Sequence, residues 1–97
     1  MRKIEKEMLQ AIQSKQNWNK DNTAVYYVQS LHPDGSYSEI YLHGNCLGLY
    51  YHNTKTFDMF WYTFRAWPTM TTASRLRALG VGAHIVKGKA YIDGKEV

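Results

Sequence analysis

The sequence predicts an α+β domain with a mostly antiparallel sheet, and three observations lead there. Apolar residues recur at helical spacing only near the N-terminus and around Leu76. Between those stretches the pattern changes to alternation, with turn residues every roughly 10 positions. A glycine-punctuated basic segment then closes the chain. The predicted order is N-terminal helix, four-stranded antiparallel meander, second helix and C-terminal β-hairpin, in a single domain over residues 1–97.

The first helix is expected over residues 2–16. Ile4, Met8 and Ile12 stand at i, i+4 and i+8, and Leu9 and Ala11 widen the stripe. So narrow a stripe predicts a helix that packs on a sheet by one face. The polar run Asn17, Asn19, Asp21 and Asn22 stops it. Trp18, inside that run, is expected to tuck back under the helix end.

Residues 23–64 read as four strands. Thr23–Leu31 is followed by His32-Pro33-Asp34-Gly35, where proline pre-sets φ and glycine accepts a positive one. In Ser36–His43, Ile40 and Leu42 share one face, and Tyr37, Glu39 and Tyr41 the other. Gly44-Asn45 signals a two-residue hairpin into Cys46–Tyr51. A polar turn at Asn53-Thr54-Lys55 leads to Thr56–Phe64. There Phe57, Met59 and Trp61 face one way, and Phe60, Tyr62 and Phe64 the other. A strand apolar on both faces is central, covered twice, or exposed as a binding surface.

Trp67-Pro68 breaks the sheet, and a helix follows from Thr71, its expected N-cap, to Leu79. Leu76 and Leu79 mark its buried side, while Arg75 and Arg77 project elsewhere. Gly80 and Gly82 end it. Ala83–Lys87, Gly88 and Lys89–Ile92 read as a hairpin, with Asp93-Gly94 after it.

Ninety-seven residues exclude two-domain enzymes and doubly wound nucleotide folds, 44% hydrophobic content lets a core form, and 21% charged residues with only nine Pro and Gly exclude a disordered chain. Aromatic residues reach 14%, with eight Tyr, three Trp and three Phe. The net charge of +4 is unevenly spread: +3 over residues 1–20, −3 over 21–64 and +4 over 65–97. Cys46 is the single cysteine, which excludes an intramolecular disulfide and a multi-cysteine zinc site. The charged start Met1-Arg2-Lys3-Ile4-Glu5 lacks a secretory h-region, and no apolar run approaches the ~18 residues of a membrane span. A reducing cytoplasm, and no membrane partner, are expected.

Catalysis finds no set of residues. Cys46 with His43 as base lacks a third group and a pocket. His43, Cys46, His52 and Asp58 match no tight metal spacing. No phosphate-binding glycine motif occurs. The expectation is a non-enzyme with no catalytic residues, no metal and no cofactor.

Two binding classes remain. A nucleic-acid surface would use the basic second helix and the hairpin: Thr72, Ser74, Arg75 and Arg77, then Lys87 and Lys89. Hydroxyls and arginines at a helix start suit phosphate oxygens, although the acidic middle opposes it. A protein-binding surface would use Phe60, Tyr62, Phe64, Arg65 and Trp67, residue types that dominate interface energetics. An exposed edge strand would also allow pairing with a second copy.

Two stretches carry a family likeness: Tyr41-Leu42-His43-Gly44-Asn45 and Trp67-Pro68-Thr69-Met70-Thr71-Thr72-Ala73-Ser74-Arg75-Leu76-Arg77-Ala78-Leu79. Together they resemble a family of short accessory proteins of tailed bacteriophages. Those carry a Leu-His-Gly-Asn turn, then Trp-x-Thr-x-Thr-Thr-x-Ser-Arg-Leu-x-Ala-Leu, often closing with a glycine-centred basic hairpin. The resemblance implies an early or accessory phage protein in the host cell cytoplasm, with no catalytic residues to carry over. It also implies a helix longer than one ending at Gly80. A host bacterial protein is the expected partner, through host takeover or a host defence or toxin system; nucleic acid is the alternative.

Overall fold

The computed structural model describes residues 1–31 and 35–97. Its first element, α1 (Lys3–Gln13), buries Met8, Ala11 and Ile12 along the expected stripe, and also Glu5. The polar run after it holds a short strand rather than a simple stop. Trp18–Lys20 (β1) pairs antiparallel with Thr23–Val28 (β2), setting Trp18 opposite Val25. Trp18 is half-buried against the core and lines a hollow with Lys6, Gln10 and Ala11, beneath α1.

The sheet continues through β3 (Tyr37–Leu42), β4 (Asn45–Tyr51) and β5 (Thr56–Met59), antiparallel in the order β1-β2-β3-β4-β5. The meander is there, with β1 as a fifth strand. The proposed turn residues His32, Pro33 and Asp34 lie outside the described residues. The next hairpin turns at His43-Gly44, with φ of 51° and 78°, rather than at Gly44-Asn45. Two consecutive left-handed residues match the twist of the flanking strands, so Leu42 pairs with Asn45 and Tyr41 with Cys46.

Between Ile40 and Tyr41 the ladder to β4 shifts register. Ile40 pairs with Gly48, so Leu47 is the extra residue of a bulge. Glycine is required at 48: a Cβ there would collide with the Asp58 carbonyl and come within 2.7 Å of the Phe57 ring.

The bulge explains the largest departure from the sequence expectation. The strand expected over 56–64 ends at Met59, and Trp61–Ala66 form a short helix, α2. Phe60 N–H donates to the Leu47 carbonyl at 2.9 Å, and the Thr63 hydroxyl to the Cys46 carbonyl at 2.7 Å. Two successive β4 carbonyls thus find their partners in a chain that has already begun to coil. Phe64 is driven into the core while Trp61 and Tyr62 are left outside.

Helix α3 runs Met70–Ala78, and its cap is Thr69, not Thr71: the Thr69 side chain accepts from the Thr72 N–H at 3.1 Å. The helix does not continue beyond Ala78; Gly80 follows at φ 93°. The C-terminal hairpin is part of a three-stranded antiparallel sheet, β6 (Ala83–Val86), β7 (Lys89–Ile92) and β8 (Lys95–Glu96). One core joins everything: Met8 and Ile12 of α1, Val25 and Ile40 of the first sheet, Leu76 of α3 and Ala90 of β7.

The first sheet has two unlike faces. Thr23, Val25, Ser38, Ile40 and Leu42 turn inward and are buried. Their outward neighbours Ala24, Tyr26, Tyr37, Glu39 and Tyr41 are all at least partly open to solvent.

Candidate functional site

The structure does not bring the basic-helix residues to one surface. Arg75 is buried, and each end of its guanidinium is committed. It donates to the Glu5 carboxylate at 2.8 Å, to the Thr23 hydroxyl at 3.0 Å and to the Asn22 side chain at 3.4 Å. Ser74 donates to the same Glu5 oxygen at 2.5 Å. The first turn of α1 adds the Arg2 backbone N–H at 3.2 Å. Burial alone would raise the Glu5 pKa; Ser74, the Arg2 N–H and Arg75 outweigh it and hold the carboxyl below its usual value. Thr72 is buried too, its hydroxyl paired with that of Thr69 at 2.9 Å.

The reason is helical geometry. Arg75 lies next to Leu76 and one turn above Thr72, on the face that α3 turns to the core. Arg77 lies off that face, exposed, and spans to the Ala83 carbonyl at 2.9 Å. Lys87, in the β6–β7 turn, and Lys89, weakly paired with Glu96 at 4.0 Å, are exposed cations. Of the proposed nucleic-acid residues, Arg77, Lys87 and Lys89 are exposed, Ser74 is half-buried, and Thr72 and Arg75 are buried.

The aromatic set sorts differently. Phe64 is wholly buried and is withdrawn from any interface. Phe60 is half-buried and stacks on Tyr62, ring centroids 5.4 Å apart, and Trp61 meets Tyr62 edge-on at 5.8 Å. Trp61, Tyr62, Trp67 and Met70 are 49%, 54%, 53% and 63% exposed. Arg65 is exposed one turn after Trp61, on the same side of α2. Trp67 also walls a hollow of about 270 Å³ lined by Leu42, Leu47, Thr63, Thr69 and Thr72. Sequence reading missed Trp61 and Met70, because a strand would have turned Trp61 inward with Phe57 and Met59.

The remaining polar candidates are structural. Burial pushes the Cys46 thiol pKa up, so it stays a thiol, and its cross-strand partner is Tyr41 rather than His43. The Ser38 hydroxyl and His52 Nε2 are 2.8 Å apart, with the rings of Tyr27 and Tyr50 edge-on to the imidazole. Burial, with a contribution from Lys15, lowers the His52 pKa and favours the neutral ring. Ser38 is wholly buried, which withholds it from any substrate. Among the described residues no group of three His, Cys, Asp or Glu is gathered to hold a metal, and no helix is long and apolar enough to cross a membrane.

The family model of the Kyanoviridae Gp96 protein matches residues 1–96, and the chain belongs to that family of phage proteins. The match points to no enzyme family. No curated protein and no solved structure matches the chain.

Proposed function

We propose that this member of the Kyanoviridae Gp96 family is a non-enzymatic accessory protein that docks on a host bacterial protein in the host cytoplasm. The docking surface is the aromatic ridge of α2 and the turn after it. One observation supports the reading above the others: Trp61, Tyr62, Trp67 and Met70 are about half exposed or more within one ten-residue stretch, with Arg65 among them. Folding alone gives no reason to leave large rings in water, and tryptophan, tyrosine and arginine are the usual anchors of interfaces. The hollow beside Trp67 would accept an apolar side chain of the partner.

The test is affinity purification of the tagged chain from infected cells, with and without nuclease. A stoichiometric host protein that survives nuclease, and is lost with Trp61→Ala/Trp67→Ala, is the expected result. A partner lost only on nuclease treatment would favour nucleic acid, read by Arg77, Lys87 and Lys89. Recovery of no stoichiometric protein would end the proposal.

A further inference from the structure

The outer face of the first sheet is a second surface, unlike the ridge in chemistry. Strand register places Tyr26, Glu39, Leu49 and Asp58 side by side across β2–β5. The next rows add Tyr41 on one side, and Tyr37 with Tyr51 on the other. Tyr26 meets Tyr41 edge-on at 5.5 Å, and Tyr37 meets Tyr51 at 6.1 Å. Described residues on this face that are paired across β2–β5 include Glu39 and Asp58 but no lysine or arginine. Lys55, in the turn before Thr56, borders the Tyr37–Tyr51 end of the face, and the net charge of the chain is +4. The face is thus a local acidic, π-rich field on a cationic molecule.

We propose that this face docks a cationic, arginine-bearing segment of a partner protein. Guanidinium groups pair with carboxylates and lie flat on tyrosine rings, whereas a lysine ammonium does only the first well. Charge complementarity selects the occupant: phosphate would be repelled by Glu39 and Asp58, and an acidic segment likewise. The molecule's overall positive charge works against non-specific capture of a cationic peptide, so binding must be local.

The probe is a short capped peptide alternating glycine and arginine, titrated into the isotope-labelled full chain at low and at physiological salt. Amide shifts confined to β2–β5, weakened by salt, are expected. Glu39→Gln/Asp58→Asn should cut affinity at least roughly fivefold, and the lysine version of the peptide should bind more weakly than the arginine one. Both substitutions are near-isosteric; Asp58 is exposed, and Glu39 is half-buried, accepting from the Tyr41 hydroxyl at 3.5 Å. Tyr26→Ala, on the same row, provides a second loss-of-binding variant, and Trp61→Ala/Trp67→Ala should leave peptide affinity unchanged. No shifts, shifts on the ridge instead, or full affinity in the carboxamide variant would overturn the proposal. So would self-association of the free chain that buries the same amides, which would make a second copy the occupant.

Discussion

Two regions of this molecule invert the usual placement of residue types. Beneath α1, a carboxylate and a guanidinium are each 3% exposed. On α2 and the turn after it, two tryptophans and a tyrosine stand about half in water. The difference lies in what each side chain finds around it. Glu5 is matched by two side chains and a backbone N–H, Arg75 by three side chains, and among the described residues no buried side-chain polar atom is left without a partner. On the ridge, Tyr62 meets the rings of Phe60 and Trp61, and Trp67 borders the hollow beside Leu42 and Leu47. Charge inside is therefore part of how the fold closes, whereas the aromatics outside keep about half of their surface in water.

The largest expected effect tests the interior. Arg75→Ala strands the Glu5 carboxylate and should destabilise the chain by about 3–5 kcal/mol in urea unfolding. Glu5→Leu with Arg75→Met should recover most of that loss. A loss under ~1 kcal/mol in the single variant would mean the cluster is a bystander.

A pH series sharpens the same point. The folded Glu5 pKa is lowered, so its contribution is complete above the ordinary carboxylate range. As pH falls, the unfolded chain takes up the proton first, and stability drains away until the folded carboxyl also titrates. Urea midpoints followed from neutral to acid pH should fall more steeply in the native chain than in Glu5→Gln.

The smallest effect belongs to the ridge. Tyr62→Ala should change unfolding free energy by no more than about 0.5 kcal/mol, while reducing partner capture. A larger cost would show that the ridge is scaffold and would erase the contrast between the two regions.

The sequence made the α+β class and the meander legible because Ile4, Met8 and Ile12, and the alternation through Ile40 and Leu42, report burial directly. It did not make α2 legible. Phe60 to Phe64 is apolar at nearly every position, and such a run has no period to read. What decides it is the bulge at Leu47, a feature of the neighbouring strand. Arg75 is hard to place from sequence for the opposite reason. Its spacing from Leu76 was visible, but a charge next to an apolar position reads as solvent-facing unless its partner is known. That partner is Glu5, 70 positions away. The ridge was half legible: Tyr62, Arg65 and Trp67 emerge from composition, whereas Trp61 and Met70 needed the helix.

The Glu5–Arg75 pair also imposes an order in time. The hairpins of the sheet join near neighbours and can form as the chain emerges from the ribosome. Helix α1 is made before the sheet, yet its buried carboxylate waits for an arginine that lies 70 positions later, beyond the sheet. Until then its apolar stripe has half a seat and no lock, so a helix made before the sheet is secured after it.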